Sequence, residues 1–531
     1  MKFFNTAGPI KPDIHYCLPP LERMNKEELL SLIAAEKYFV LHAPRQTGKT
    51  TCLLALVDEL NSSGQYRAVY TNVEAAQASR ENISEAMRAI LSELAINAKY
   101  FLRDEFPDRR RHEILAADST NALVTLLGEW SQTDARPLVV MIDEIDSLIG
   151  DTLIAVLRQL RSGYNRRPAE FPQSVILCGV RDVRDYRIHS STSNEIITGG
   201  SAFNIKAESL RLGNFTEGDI EKLYQQHTLE TGQVFEGDIL PLVWDLTAGQ
   251  PWLVNALAHQ ATHNIKEMRD RTKPITISVI NQAKEELILR RDTHLDQLAD
   301  KLQEPRVRGV IEPMLAGVDL DASANLSNEI SYVVDLGLIR RGANGLEISN
   351  AIYREIIPRE LTAVTQLNFE STQRAAWYIA ADGRLDMKKL LEAFQQFFRE
   401  HSEHWVERFD YKEAGPQLLL QAFLQRIVNG GGRIEREYGL GRKRTDLLVL
   451  WNHPAGVQRV VLELKLAHGS LEKTLQTEVA GLAQTAEYMD KCGAREGHLV
   501  IFNRSPDKTW EEKIYHRTEN TQDYTIEVWG M

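Results

Sequence analysis

Residues Ala43-Pro44-Arg45-Gln46-Thr47-Gly48-Lys49-Thr50 follow the spacing GxxxxGK(S/T), with alanine in place of the first glycine, and Thr51 continues the run. A loop of this kind, set before a helix N-terminus, holds phosphate. Successive backbone N–H groups cradle it, Lys49 reaches the outer phosphate oxygens, and the Thr50 hydroxyl is a ligand for Mg²⁺. Ala43 is expected to leave the first turn of the loop slightly less free than glycine would. Further along, the run VVMIDEID ends in Asp143 and Glu144. Asp143 is the type of residue that orders the water shell of the metal. Glu144 beside it can orient or deprotonate an attacking water, which is the work of hydrolysis rather than of binding alone.

A second set lies near the other end of the chain. Asp446 is followed, after sixteen residues, by Glu463-Leu464-Lys465. Alternation along a strand puts Glu463 and Lys465 on one face, and a paired strand can bring Asp446 beside them. Two carboxylates, with the Leu464 carbonyl between them, would hold Mg²⁺ or Mn²⁺, and the ammonium would position a water for attack on a phosphodiester. Arg433, Arg436, Arg442, Lys443 and Arg444 fall within twelve residues just before. They read either as a solvated charged hairpin or as a phosphate-contacting patch, which positions a nucleic-acid strand without reading its sequence.

The elements that must carry these residues are legible in coarse form. KYFVLHA (37–43) is a short apolar run, and the stretch after Lys49 has helical spacing: strand, loop, helix. YRAVYTNVE (66–74), PLVVMIDEID (137–146) and SVILCGVR (174–181) are further strand signals, with helical stretches such as 81–98 between them. That alternation predicts a parallel sheet covered on both faces. Strand signals stop at about residue 206. Helices follow, with Gly249 ending one and Pro251 opening the next. Residues 294–365 read as helices plus one hairpin, the pattern of a winged helix. Residues 366–405 read as a helical connector that packs on something. The last unit runs helix, three strands, helix, strand. The fold class is therefore α/β and multidomain: a sheet domain carrying the phosphate loop (1–205), a helical region (206–293), a winged helix (294–365), a connector (366–405) and an αβββαβ domain (406–531).

Composition bounds the rest. At 531 residues the chain is too long for one core, and 43% hydrophobic with 26% charged residues is ordinary for folded domains. No run approaches the length of a membrane span, and the start MKFFNTAGPIKPD does not form a signal peptide, so the expected location is the cytoplasm. Four scattered cysteines without a CxxC pair suit a reducing compartment. The net charge of -12 does not suggest nucleic-acid binding, but residues 406–531 carry 17 Lys+Arg against 18 Asp+Glu, so the deficit sits elsewhere.

The phosphate loop, the DE strand end, Arg181 in CGVRD and the turn Gly249-Gln250-Pro251 together resemble the bacterial AAA-like and signal-transduction (STAND) P-loop ATPases. The resemblance implies an ASCE-type sheet, ATP with Mg²⁺ as cofactors, Arg181 as a γ-phosphate sensor and a lid turn at Gly249 and Pro251 touching the nucleotide. It also implies assembly into a homo-oligomer on nucleotide binding. The opening segment 3–23 resembles the part of such ATPases that closes over the base, which makes His15 and Tyr16 adenine-side candidates. No arginine finger is assigned; Arg158, Arg161, Arg166 and Arg167 are candidates. In the tail, Glu413 on a helix, Asp446, Glu463 and Lys465 on strands, and Gln484 with Tyr488 on the following helix resemble the PD-(D/E)XK nuclease superfamily over residues 406–505, with Thr-Asp in place of Pro-Asp.

These readings combine into an ATPase whose nucleotide state gates Mg²⁺-dependent cleavage of nucleic acid, with DNA the expected substrate and no membrane partner. By analogy the pairing suggests defence against phage or mobile DNA. The alternative is a STAND-like regulatory ATPase whose nuclease-like domain binds DNA or a partner without cutting. A helicase–nuclease lacks support, since neither additional helicase motifs nor a second sheet domain of that type is present.

Overall fold

In a computed structural model the chain is described over residues 2–182, 187–189, 196–198, 203–290, 293–315, 327–342, 345–357, 378–406, 420, 423–424, 432–436, 447–467, 471–503, 508–521 and 524–531. It divides into two compact units, residues 1–294 with 332–339, and residues 295–331 with 340–531.

The first unit is built on five parallel strands: β1 (Tyr38–His42), β2 (Arg67–Asn72), β3 (Leu138–Asp143), β4 (Ser174–Gly179) and β5 (Lys206–Arg211), in the order β2-β3-β4-β1-β5. Every residue of β3 and β4 is buried. Alternation sends Tyr38, Val40, Val69, Val140 and Leu177 to one face, against the helices Ile83–Leu102 and Ala122–Ser131. Phe39, Leu41, Ala68, Val139, Met141 and Ile176 go to the other, against α1 (Lys49–Ser62). With helices on both faces no polar alternation is needed, hence the continuous apolar runs.

β5 departs from the sequence expectation. The sheet continues past residue 205 because the run KAESLR pairs only with β1, at the edge of the sheet. A strand with one neighbour can stay polar, so it gives no apolar signal.

Three helices follow: α2 (Glu217–Thr231), α3 (Ile239–Thr247) and α4 (Pro251–His259). Thr216 and Asp219 cap α2 reciprocally, at 3.2 and 2.9 Å, an arrangement that contributes about 1 kcal/mol. The short strands Phe3–Phe4 and His15–Tyr16 pair in parallel and pack through Phe4 and Tyr16 on Tyr224 and His227 of α2. Helices Thr293–Leu302 and Pro305–Leu315, α5 (Ser327–Asp335), and a two-stranded sheet of Ile339–Gly342 with Gly345–Ile348 come next in the chain.

The second unit holds α6 (Met387–Val406) and a mixed sheet of β6 (Gly432–Arg436), β7 (Leu447–His453), β8 (Gly456–Ala467), β9 (Glu496–Asn503), β10 (Tyr515–Asn520) and β11 (Thr525–Gly530). The order is β6-β7-β8-β9-β11-β10. α6 lies on one face, where Leu390, Phe394 and Phe398 share a core with Leu462, Leu464, Val500 and Phe502. Residues 378–405 of the stretch read as a connector thus contribute to this core. α7 (Leu471–Cys492) covers the other face through Tyr488 and Met489 on Val461, Leu499 and Ile501. No described helix is long and apolar enough to cross a membrane.

Candidate nucleotide site and a buried glutamate paired with lysine

Residues 43–48 connect β1 to α1 at the C-terminal edge of the sheet. The left-handed positions of this loop are Gln46 (φ 58°) and Gly48 (φ 94°). Ala43 is not one of them, and its methyl group is fully buried in the core. The first motif position therefore needs no glycine here. Lys49 Nζ donates to the carbonyls of Ala43 (2.9 Å) and Pro44 (3.1 Å), and Thr47 Oγ1 to Pro44 O (2.8 Å). Gly48 caps α1 without a side chain, so the first N–H groups of the helix stay available to an anion. Gln46 Oε1 is buried without a hydrogen bond. An orphaned polar atom, an uncapped helix start and a buried ammonium fit a phosphate-bearing ligand. Arg45 is exposed. Thr51 Oγ1 instead accepts from Ile10 N at 3.2 Å.

Asp143, at the end of β3, is fully buried. Thr50 Oγ1 donates to its Oδ2 at 2.7 Å, Tyr70 OH to the same oxygen at 3.1 Å, and Glu144 N to Oδ1 at 2.9 Å. A hydroxyl and a carboxylate so close are oxygen donors of the hard type that Mg²⁺ takes. Glu144 is left-handed (φ 56°), a conformation that costs a non-glycine residue about 1 kcal/mol or more and clusters at functional sites. Burial first, then the charges of Asp146 and Asp143, raise its carboxyl above the ordinary glutamate range, while Lys49 and Arg45 pull it back. A carboxylate raised toward neutrality is better matched to taking a proton from water. Tyr70 carries no motif and was invisible in the sequence.

Arg181 emerges from β4, the strand between β1 and β3. Its Nε donates to Asp335 Oδ2 at 3.1 Å and its guanidinium lies 5.0 Å from the Tyr332 ring. Both partners sit in the last turn of α5, 154 residues away for Asp335. Gly249 (φ 71°) lies so close to Phe215 that a Cβ would stand 2.0 Å from its carbonyl oxygen, so only glycine fits. Pro251 opens α4, and Trp252 Nε1 donates to Thr6 O at 2.8 Å. His15 Nδ1 accepts from Lys11 N at 2.9 Å. Tyr16 OH meets His227 Nδ1 at 3.2 Å inside the aromatic cluster on α2. Tyr16 is thus engaged in joining the N-terminal segment to α2, and His15, packed on Phe3, in shaping that segment itself. Among the finger candidates, Arg166 and Arg167 stack on Phe171 and Tyr164, at 5.5 and 3.4 Å.

Residues 34–186 match the AAA domain family. The chain carries an AAA-type P-loop ATPase domain. Its activity is ATP binding and hydrolysis, with the Mg²⁺ typical of such ATPases. Similar solved structures include the Walker-type ATPase of Pyrococcus abyssi, at 12% identity and TM-score 0.47, covering 67% of this chain and 99% of that one. Cdc6p from Pyrobaculum aerophilum is similar at 15% identity and TM-score 0.37, covering 67% and 98%. The RuvB Holliday junction branch migration motor of Thermotoga maritima is similar at 14% identity and TM-score 0.34, covering 63% and 94%. No curated protein matches the chain.

Outside the ATPase domain, Glu463 is 1% exposed on β8, with Lys465 Nζ 2.7 Å from its Oε1. Leu464 points to the opposite core, so Glu463 and Lys465 share the α7 face with Val461. Gly481 of α7 makes the room: a Cβ there would stand 2.7 Å from Leu499 and 3.4 Å from Lys465 Cγ. Gln484 and Tyr488 follow on the same helix, and Gln484 Oε1 has no hydrogen bond. β7 and β8 are paired as far as Leu447↔Leu462. Asp446, Glu413, Arg442, Lys443 and Arg444 lie outside the described residues. The backbones of Arg433 and Arg436 belong to β6, opposite Leu450 and Leu447. The Trp451 indole donates to Gly383 O at 2.8 Å, which is a structural use.

Proposed function

We propose that ATP binding and hydrolysis by the AAA-type domain gate metal-dependent phosphodiester cleavage by the C-terminal unit. The observation that carries the nuclease half is the buried Glu463 carboxylate, paired with the half-buried Lys465 ammonium on a central strand of a mixed sheet. Taking the Glu463 carboxylate out of water costs roughly several kcal/mol, which an apolar residue at the same place would avoid. Such pairs cluster where charge is used. One further step of the β7/β8 register beyond Leu447↔Leu462 is what the D-(x16)-ExK spacing requires for Asp446 to oppose Glu463. Asp446 and Glu463 would then be the carboxylate ligands of Mg²⁺ or Mn²⁺, with the Leu464 carbonyl, and Lys465 would orient the attacking water. Gln484 lines the site, Glu413 assists the metal, and the cluster 433–444 holds the backbone of DNA.

On the ATPase side, Thr50 and Asp143 hold the Mg²⁺ of ATP, Lys49 turns from its carbonyls to the phosphates, and Glu144 takes the proton of water. The gate runs through Arg181. Its bond to Asp335 ties the strand-end arginine to α5, so a γ-phosphate competing for Arg181 would release that helix turn. The cleavage test is direct: purified full-length protein with plasmid, linear and single-stranded DNA and with RNA, in Mg²⁺ and Mn²⁺, beside Lys465→Ala. Cleavage lost in the variant supports the reading. Cleavage untouched by the variant removes it, and tight binding of DNA without cleavage makes the chain a regulatory ATPase.

A further inference from the structure

Arg23 belongs to no motif, yet its guanidinium stands between the phosphate loop and the segment that leads into α2. It ends a short 3-10 turn, Pro20–Arg23, that is pinned on both sides. Cys52 Sγ, on α1, bonds Pro20 O at 3.4 Å, and Met24 is buried in the core beneath α1. From this anchor one arm, Nη1, donates to Thr47 O in the phosphate loop at 2.7 Å. The other, Nη2, donates to Gly213 O at 2.9 Å, in the segment leading into α2. Its Cζ lies 4.7 Å from the centre of the Phe215 ring. Phe215 N in turn donates to Gly249 O at 2.8 Å, and Phe215 O occupies the space that a Gly249 side chain would need.

We infer that Arg23 is a positioning residue for nucleotide: it aims the phosphate loop and ties that aim to the lid turn. The peptide between Thr47 and Gly48 is planar and trans, so its C=O and N–H point in opposite directions. Holding the Thr47 carbonyl toward Arg23 therefore holds the Gly48 N–H away from it, toward the cradle where the phosphates sit. Gly48 serves this twice: its φ of 94° suits glycine, and a Cβ would stand 2.8 Å from Arg23 Nη1. The same guanidinium bonds the start of the lid, so the lid turn Gly249–Pro251 and the loop cannot shift independently. The fork geometry matters. A lysine supplies charge but not two rigid, diverging N–H donors.

The experiment measures full-length protein and the Arg23→Lys, Arg23→Ala and Phe215→Leu variants. It records affinity for a fluorescent ADP, KM and kcat for ATP hydrolysis, and melting temperature with and without nucleotide. Loss of a charge-assisted hydrogen bond to the loop predicts affinity weakened about tenfold in Arg23→Lys. KM should rise more than kcat falls, because the contact acts equally on bound ATP and on the transition state. The nucleotide-free melting temperature of Arg23→Lys should stay near wild type, while the rise on adding ADP shrinks. Phe215→Leu, which leaves both hydrogen bonds in place, should weaken affinity by a smaller factor of about three. A lowered nucleotide-free melting temperature with wild-type affinity and KM would make Arg23 merely structural and overturn the inference. So would failure of both Arg23 variants to fold while Phe215→Leu binds ADP as wild type does.

Discussion

The nucleotide site and the Glu463–Lys465 pair both place a buried carboxylate on a central strand, and they neutralise it differently. Asp143 is held by three neutral donors, Thr50, Tyr70 and the Glu144 amide, while Lys49 is kept nearby on the carbonyls of its own loop. Glu463 is answered by a full ammonium two residues along its own strand, under a helix that Gly481 lets close in. Dipoles can be displaced by a metal ion and its ligands without leaving a charge stranded. An ion pair cannot lose one member without exposing the other to a dry site. Charge substitutions should therefore cost the ATPase site activity alone and the C-terminal site both activity and stability.

The sharpest break of that comparison is Glu144→Gln. Hydrolysis should fall by about 100-fold or more with ATP binding retained, since a general base contributes about 10²–10⁴, and melting should hardly change. Wild-type hydrolysis by this variant would remove Glu144 as the base. Lys465→Ala should abolish cleavage by about 100-fold and also lower the melting temperature by several degrees, the stranded Glu463 costing about 3 kcal/mol. Lys465→Met, with Glu463→Gln beside it, should restore melting without cleavage; a lone Lys465→Ala that melts as wild type would erase the contrast.

Smaller effects sharpen it. The pH dependence follows from Glu144: burial and the acids beside it raise its carboxyl, so its active, ionised form is lost at a higher pH than an ordinary glutamate would allow. The acid limb of kcat/KM should lie above the usual carboxylate range of about 4.3 and vanish in Glu144→Gln. Smallest is Asp335→Asn. Freeing Arg181 from a mostly buried partner should lower KM for ATP about threefold with kcat little altered. An unchanged KM would separate α5 from the nucleotide response.

How much of this was legible in the sequence depends on how local each feature is. Lys49 and Thr50 open the helix after β1 and Asp143 ends β3, and their apolar runs and turns are contiguous, so type and spacing sufficed to place them with Glu144 at one edge of the sheet. The placement of Glu463 and Lys465 on one face was legible for the same reason, as alternate residues of one strand. β5 was missed because an edge strand needs no apolar face. β10 went unread because YHRTEN alternates weakly at the other sheet's edge. Tyr70, Arg23 and the Arg181–Asp335 pair could not be read at all. Each acts through a partner far along the chain, and no periodicity encodes a contact across 154 residues. Ala43 was misjudged in the other direction, since the motif's first glycine matters only where the loop turns left-handed, and here that is Gln46 and Gly48.

The central claim is that the state of one site controls the other, and the most direct test compares DNA cleavage by wild type, Lys49→Ala and Lys465→Ala with no nucleotide, ATP or a non-hydrolysable analogue. Gating predicts cleavage that needs Lys465 and changes with nucleotide in the wild type but not in Lys49→Ala. Cleavage that proceeds equally in all three nucleotide conditions, or that survives without Lys465, would contradict it.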